Sequence, residues 1–167
     1  MQSVQNLSSP TNYLSGRRQP VRSKCWLAFW SASGKDSIKT MTIEEYHAAL
    51  KAQGTQDRAD LVMICPMCGA PQTGNDLIRA GAGKTFDDVE KYLGFSCVGR
   101  WTGAGSPRKH PDGKPCNWTL GGLFRTHTLE VVTPDGEKHP RFEVATPEQA
   151  QAHLANARLD RQEEART

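Results

Sequence analysis

Four cysteines constrain the fold of this chain more than any other feature of its sequence. Cys65 and Cys68 form a Cys-x-x-Cys pair in ICPMCGA, Cys97 lies in GFSCVGRW, and Cys116 lies in KPCNWTLGG. Two thiolates two residues apart can face one ion across a tight turn, and Gly69 allows the positive φ that turns backbone amides toward the sulfurs. Structural zinc takes four ligands. The sequence therefore predicts one structural Zn²⁺ bound by Cys65, Cys68, Cys97 and Cys116.

The second pair of ligands is inferred from the ligand number more than from its spacing. Eighteen residues separate Cys97 from Cys116, which is wider than the usual interval. The free energy of loop closure rises only slowly with loop length, so this spacing is physically easy. His110 lies in the same loop and is the alternative for one ligand position, although we interpret it as an exposed loop residue. The fifth cysteine, Cys25, is left without an assigned role.

A closed four-thiolate site leaves no open position for water or substrate, so it is expected to stabilise folding and not to catalyse. The alternative is a thioredoxin-like redox pair, which needs a Cys-x-x-Cys at the start of a helix in a βαβ setting. Pro71 and Gly74 follow the pair here, which does not fit that setting and favours a zinc knuckle.

The apolar runs WLAFW and LVMI are far too short to span a membrane or to form a signal peptide. We expect a soluble protein of a reducing compartment, where disulfides are rare.

The charge is unevenly distributed along the chain. Six of the 21 basic and one of the 18 acidic residues lie in residues 1–40, which leaves 15 and 17 for the rest. The remainder is therefore slightly acidic, and whole-chain charge gives little support for non-specific nucleic-acid binding. Residues 1–40 are predicted to be a disordered tail; docking through Trp26 and Trp30, or translation starting at Met41, are the alternatives. Residues 41–158 are expected to form the zinc-stabilised domain, and residues 159–167 a charged tail.

Local signals predict short helices and strands around the cysteines. Helices are expected after Thr42, after Thr73 or Asn75, after Thr85, and from Thr146 to about Arg158, because each start carries a capping residue. Strands are expected over residues 61–64 and 95–98, and a hairpin over residues 128–133 and 141–145 around Pro134-Asp135-Gly136. A helical turn is expected after Cys116. The predicted fold is a small α+β domain, similar to a zinc ribbon or treble clef with helical insertions.

The long loop and its flanks combine cationic and aromatic residues. Such a mixture suits phosphate contacts and base stacking, and Asp112 is the one acidic residue in the loop. The alternative is that Trp118 packs beside the zinc site and that the charges form an ordinary solvated loop. The candidate nucleic-acid or partner-binding residues are Arg100, Trp101, Arg108, Lys109, Lys114, Trp118 and Arg125.

Two other motifs resemble enzymatic signals. Ala82-Gly83-Lys84-Thr85 resembles the end of a phosphate-binding P-loop, but Ile78 stands where that motif requires glycine. His110, His127, His139 and Asn117 could belong to a His-Asn-His nuclease, although their order lacks the expected paired histidines around a central asparagine. A zinc-stabilised nuclease therefore stays open as an alternative.

The runs CPMCG, FSCVGR and PCNWTLGG resemble a family of small, uncharacterised zinc-binding proteins encoded by bacteriophages and prophages of proteobacteria. The resemblance extends from Met41 to about Ala152. It implies a phage-encoded protein in the cytoplasm of an infected host and supplies no activity.

Together these observations predict a non-enzymatic phage accessory protein that binds nucleic acid or a host protein. The alternatives are a protein-only inhibitor or adaptor of a host defence or transcription component, and the nuclease. No membrane association and no small-molecule substrate are expected.

Overall fold

Two three-stranded sheets and four α-helices make up the computed structural model, which describes residues 38–121 and 126–166. The strands, in chain order, are β1 (Lys39–Thr42), β2 (Met63–Ile64), β3 (Pro71–Gln72), β4 (Leu129–Val132), β5 (Lys138–Arg141) and β6 (Glu143–Val144). The helices are α1 (Ile43–Ala52), α2 (Gly74–Arg79), α3 (Phe86–Leu93) and α4 (Pro147–Glu164). Short 3₁₀ helices span Arg58–Asp60 and Val98–Arg100. The fold is a small α+β domain, as predicted.

The chain moves from one sheet to the other between β5 and β6. The first sheet has the order β1-β4-β5, with β1 parallel to β4 and β4 antiparallel to β5. The second has the antiparallel order β3-β2-β6. Phe142, which joins β5 to β6, has 0% exposure, and its amide donates to the Gly94 carbonyl at 2.9 Å. In the sequence, the segment that contains β2, β3 and all four cysteines lies between the parallel strands β1 and β4.

Each α-helix in the described part of the chain begins with the same device. A threonine hydroxyl accepts from the amide three residues on, and the side chain at that position accepts from the threonine amide, so two free helix donors are satisfied at once. The four threonines are Thr42, Thr73, Thr85 and Thr146. The predicted helix starts are therefore confirmed.

Several predicted boundaries differ from the structure. β1 begins at Lys39, before the expected domain start at residue 41. The return strand of the hairpin is β5, which starts earlier than expected, and Glu143–Val144 pairs with β2 in the other sheet. The last helix was expected to end at about Arg158, which is wrong, because α4 continues to Glu164. Its last turns are rich in arginine, glutamine and glutamate, which favour helix.

The predictions on either side of the long loop were also wrong. The expected strand over residues 95–98 is reduced to a single bridge between Ser96 and Thr119, followed by the 3₁₀ turn Val98–Arg100. The helical turn expected after Cys116 is absent from residues 117–121, because Thr119 lies in that bridge and the Leu120 amide donates to the Phe95 carbonyl at 2.9 Å. Residues 122–125 lie outside the described part of the chain.

A buried glutamine connects β3 to the segment that carries Cys97. The Gln72 side chain has 0% exposure and donates to the Leu93 and Ser96 carbonyls, each at 2.8 Å. Its oxygen accepts from the Val98 amide at 2.7 Å. A buried amide that makes three good hydrogen bonds fixes its neighbours, because an unmatched polar group there would be costly. Gln72 therefore sets the position of Ser96 to Val98 relative to β3.

A second glutamine and a contact between a histidine and a carboxylate attach α4 to this body. The Gln53 side chain donates to the Val62 and Ala145 carbonyls and accepts from the Val62 amide. His153 on α4 lies 2.7 Å from a carboxylate oxygen of Asp76, which also caps α2. α4 buries a small cluster around these contacts.

Replacing Gln72 with alanine is expected to lower the free energy of unfolding by about 2–4 kcal/mol, because two carbonyls and one amide would lose their buried partner. Urea denaturation followed by circular dichroism measures the change. Gln56→Ala is the matched control, since Gln56 is exposed. Equal urea midpoints for the two variants would contradict the role given to Gln72.

Candidate metal centre

The first cysteine pair lies in the tight turn between β2 and β3. The Cys65 amide donates to the Ala70 carbonyl at 3.0 Å, and the Gly69 amide donates to the Cys65 carbonyl at 2.9 Å. Gly69 has φ 72°, in the left-handed region that favours glycine. Within this turn the backbone amides of Cys68 and Ala70 donate to the sulfurs of Cys65 and Cys68. The turn has the form of a zinc knuckle, as the Cys-x-x-Cys-Gly motif predicts.

The second pair lies on two antiparallel segments joined by the bridge between Ser96 and Thr119. The Cys97 amide donates to the Trp118 carbonyl at 2.8 Å. The Cys116 amide donates to the Cys97 sulfur at 3.4 Å, and the Trp118 amide donates to the Cys116 sulfur. The two cysteines therefore close the base of the long loop and face the knuckle as a second pair of ligands.

The four sulfurs match the geometry of one tetrahedral ion. The Cys65 and Cys116 sulfurs are 3.9 Å apart, those of Cys68 and Cys97 are 3.8 Å apart, and all four lie within 4.8 Å of one another. Zn–S bonds of about 2.3 Å in a regular tetrahedron place the sulfurs about 3.8 Å apart. Each cysteine is 0–1% exposed. The residues present therefore fit a closed four-thiolate metal site.

Four sulfurs this close cannot all carry negative charge by themselves. Hydrogen bonding with Cys68 and Cys97, together with burial, raises the pKa of Cys65. For Cys68, the hydrogen bond with Cys65 acts to lower the pKa. The hydrogen bond with Cys97 and burial outweigh it and raise the pKa of Cys68 to about 12. The Cys65 and Cys68 thiols donate to Cys97 and lower its pKa to about 2. Burial raises the pKa of Cys116. Burial and mutual hydrogen bonding therefore oppose four free thiolates at this site, and a divalent cation bound by the four sulfurs would stabilise them.

Gly99 is a residue of the centre that the sequence analysis missed. Its amide donates to the Cys97 sulfur, and a β-carbon at this position would lie 2.5 Å from the Cys116 carbonyl oxygen and 2.7 Å from the Cys116 nitrogen. Glycine is therefore required where the two ligand-bearing segments approach each other. The signal was present in the sequence as a glycine two residues after a ligand cysteine.

The long loop folds back onto the metal centre. The Gly113 amide donates to the Cys68 carbonyl at 2.9 Å, and the Asn117 amide donates to the Gly105 carbonyl at 3.0 Å. Arg108 pairs with Asp112 at 2.6 Å and donates to the Lys114 carbonyl at 2.8 Å. The hydrogen bond with Asp112 raises the pKa of Arg108. Arg108 therefore holds the loop closed, which the sequence did not indicate.

The other predicted surface residues differ in how they are held. Arg100, Lys109 and Lys114 are exposed. The Arg100 guanidinium donates to the Thr119 hydroxyl at 3.3 Å, and these three side chains form no ion pair within the described residues. Arg125 lies outside the described part of the chain, so its place at this surface stays a prediction.

Both tryptophans are half-buried and pack against the core cluster that contains the cysteines. The Trp101 ring lies 4.9 Å from the Tyr92 ring at an interplanar angle of 53°. The Trp118 indole nitrogen is buried and has no hydrogen-bond partner among the described residues. Trp118 therefore has the packing role that we weighed against stacking, whereas Trp101 joins α3 to the base of the loop.

The histidines stay apart from the metal centre. His110 is exposed and lies outside the four-sulfur group. His127 contacts Glu130 at 2.9 Å, and His139 lies 3.6 Å from Glu137. Within residues 38–121 and 126–166, the four cysteines form the group of three or more potential ligands that could hold a metal ion. Cys25 lies outside the described residues.

Replacing Gly99 with alanine is expected to weaken metal binding roughly 10–100-fold. The added methyl group would overpack the contact between the two ligand-bearing segments, at a cost of about 1–3 kcal/mol. A zinc competition titration against a chelator measures the change. Gly105→Ala is the matched control, since a β-carbon there meets no atom within 4 Å and its φ is not positive. Wild-type zinc affinity in the Gly99 variant would contradict this account.

Comparison with known proteins places the chain in a family. No curated protein and no solved structure gives a significant match. No helix among the described residues is long and apolar enough to cross a membrane. A family model described as VVA0879-like matches residues 42–145, which is more than half of the chain and lies within the range expected from the resemblance. The match contains all four cysteines, α1 to α3 and both sheets except the first residues of β1. The chain belongs to the VVA0879-like family.

Proposed function

We propose that this chain is a non-enzymatic, phage-encoded accessory protein in which one structural zinc ion supports a nucleic-acid-binding surface. The surface consists of Arg100, Trp101, Lys109, Lys114 and the adjacent base of the loop, with Arg125 as its predicted extension. Its place of action is the cytoplasm of the infected host.

The observation that carries the proposal is the attachment of the basic loop to the metal centre. Cys97 and Cys116 close its base, Gly113 bonds to the knuckle, and the Arg108–Asp112 pair closes its tip. A loop held at three places presents its remaining cations in a fixed arrangement, which lowers the conformational entropy lost on binding. Arg100, Lys109 and Lys114 are exposed, so phosphate oxygens could reach them.

The burial of the four sulfurs supports a structural role for the metal. A catalytic zinc site keeps one position for water or substrate, whereas all four positions here are taken by cysteines with 0–1% exposure. A Zn²⁺ ion with four thiolates carries a net double negative charge, which the nearby cations partly offset. We infer that the centre shapes the surface and does not itself contact the ligand.

Lys109→Gln combined with Lys114→Gln is expected to weaken DNA or RNA binding and to reduce the slope of log K against log salt. The slope should fall by about 1.4 for a single strand, since each phosphate contact contributes roughly 0.7. Fluorescence anisotropy over a salt series measures both quantities.

Lys39→Gln is the control, because Lys39 is an exposed lysine on β1. No binding of either nucleic acid at low salt would refute the proposal in favour of a protein-only inhibitor or adaptor. Metal-dependent cleavage of the probe that is lost on His110 or His127 substitution would refute it in favour of the nuclease.

A further inference from the structure

A cleft of about 500 Å³ opens between α1, α3 and the segment after α3. This volume lies in the range of about 300–1,000 Å³ that small-ligand sites occupy. Tyr46, Phe86 and Phe95 contribute aromatic rings to its walls, and Arg58, Lys91 and Arg141 contribute cations. A cleft with several flat apolar walls and cations at its edge suits a planar ligand with a negative charge.

The side chains of Arg141 and Tyr46 both approach Gly94 at one side of this cleft. A β-carbon at Gly94 would lie 3.5 Å from the Arg141 Cδ and 3.9 Å from the Tyr46 hydroxyl oxygen. Arg141 is half-buried and forms no ion pair within the described residues, and its hydrogen bond to the Pro140 carbonyl is long at 3.5 Å. Burial raises the pKa of Tyr46, so its phenol stays neutral and can donate. A half-buried guanidinium without a carboxylate favours an anionic partner.

The opposite wall is already neutralised. Arg58 forms an ion pair with Glu90 and lies 5.3 Å from the centre of the Phe86 ring. This pair fixes the edge of the Phe86 wall and leaves Lys91 and Arg141 as the cations available to a ligand.

The cleft is continuous with the binding surface proposed above. Lys91 lines the cleft, and its ammonium lies 5.0 Å over the Tyr92 ring. Tyr92 in turn packs on Trp101 at 4.9 Å, and Arg100 precedes Trp101 in the chain. Aromatic and cationic groups therefore alternate from the cleft to the base of the loop, which is the pattern of a single-strand binding track.

We propose that this cleft receives one unpaired base of a single-stranded nucleic acid, with its flanking phosphates bound by Arg141 and Lys91. The inference rests on the proposed function and specifies its ligand. The base stacks against the aromatic walls, and the strand continues over Tyr92 and Trp101 toward the loop. A duplex does not present an unpaired base, so the cleft selects single strands.

The test is photo-crosslinking of a 12-residue oligonucleotide that carries 5-iodouracil, followed by peptide mapping, together with binding titrations of Arg141→Gln and Lys91→Gln. We expect crosslinks at Tyr46 or Phe95. Loss of the charged hydrogen bond should weaken single-strand binding about tenfold in Arg141→Gln. Arg161→Gln on the exposed end of α4 and Lys39→Gln on β1 are the matched controls and should stay within about twofold of wild type.

Zinc content and the thermal unfolding midpoint establish that each variant is folded. If Arg141→Gln does not fold, Lys91→Gln carries the test, because Lys91 is exposed on α3. The inference is overturned, and the proposed function kept, if crosslinks fall only in residues 100–118 while both cleft variants bind normally. Binding of uridine monophosphate as tight as that of the oligonucleotide would also overturn it, in favour of a free nucleotide. No binding of any nucleic acid would overturn both proposals.

Discussion

The cluster of four cysteine sulfurs is the interaction on which the rest of the domain depends. β2, β3 and β6 are two residues long, and the second ligand pair lies on segments joined by one isolated bridge. Strands this short are not stable alone. The sulfurs join the β2–β3 turn to the base of the long loop, and Gln72 adds three buried hydrogen bonds between the same two regions. Because four thiolates this close would repel one another strongly, a divalent cation bound by all four would remove this repulsion and join the two regions.

This dependence also explains which features the sequence could predict. Helix starts at Thr42, Thr73, Thr85 and Thr146 follow from contacts within three residues, so local pattern was sufficient. The clustering of Cys65, Cys68, Cys97 and Cys116 could be predicted because a tetrahedral metal site takes four ligands and the chain has few cysteines. β1 was missed because its partner, β4, is distant in sequence. β3 was missed because it is only two residues long.

The wrong strand over residues 95–98 has a physical cause in the metal centre. Its apolar residues favour an extended chain, but the Cys97 sulfur accepts from the Gly99 amide, so the backbone must turn directly after Cys97. The same turn brings Gly99 against the backbone of Cys116. The cations of the loop differ in their contacts. Arg108 is bound within the loop, whereas Arg100, Lys109 and Lys114 are exposed and form no ion pair within the described residues.

The most direct test of this account is the zinc content of the freshly purified chain, measured by elemental analysis. The account predicts about one equivalent of zinc per chain, as a four-thiolate structural site requires, with loss of that zinc in Cys97→Ser and Cys116→Ser variants. Less than about half an equivalent in the wild-type chain, or unchanged zinc in those two variants, would contradict a single centre built from all four cysteines.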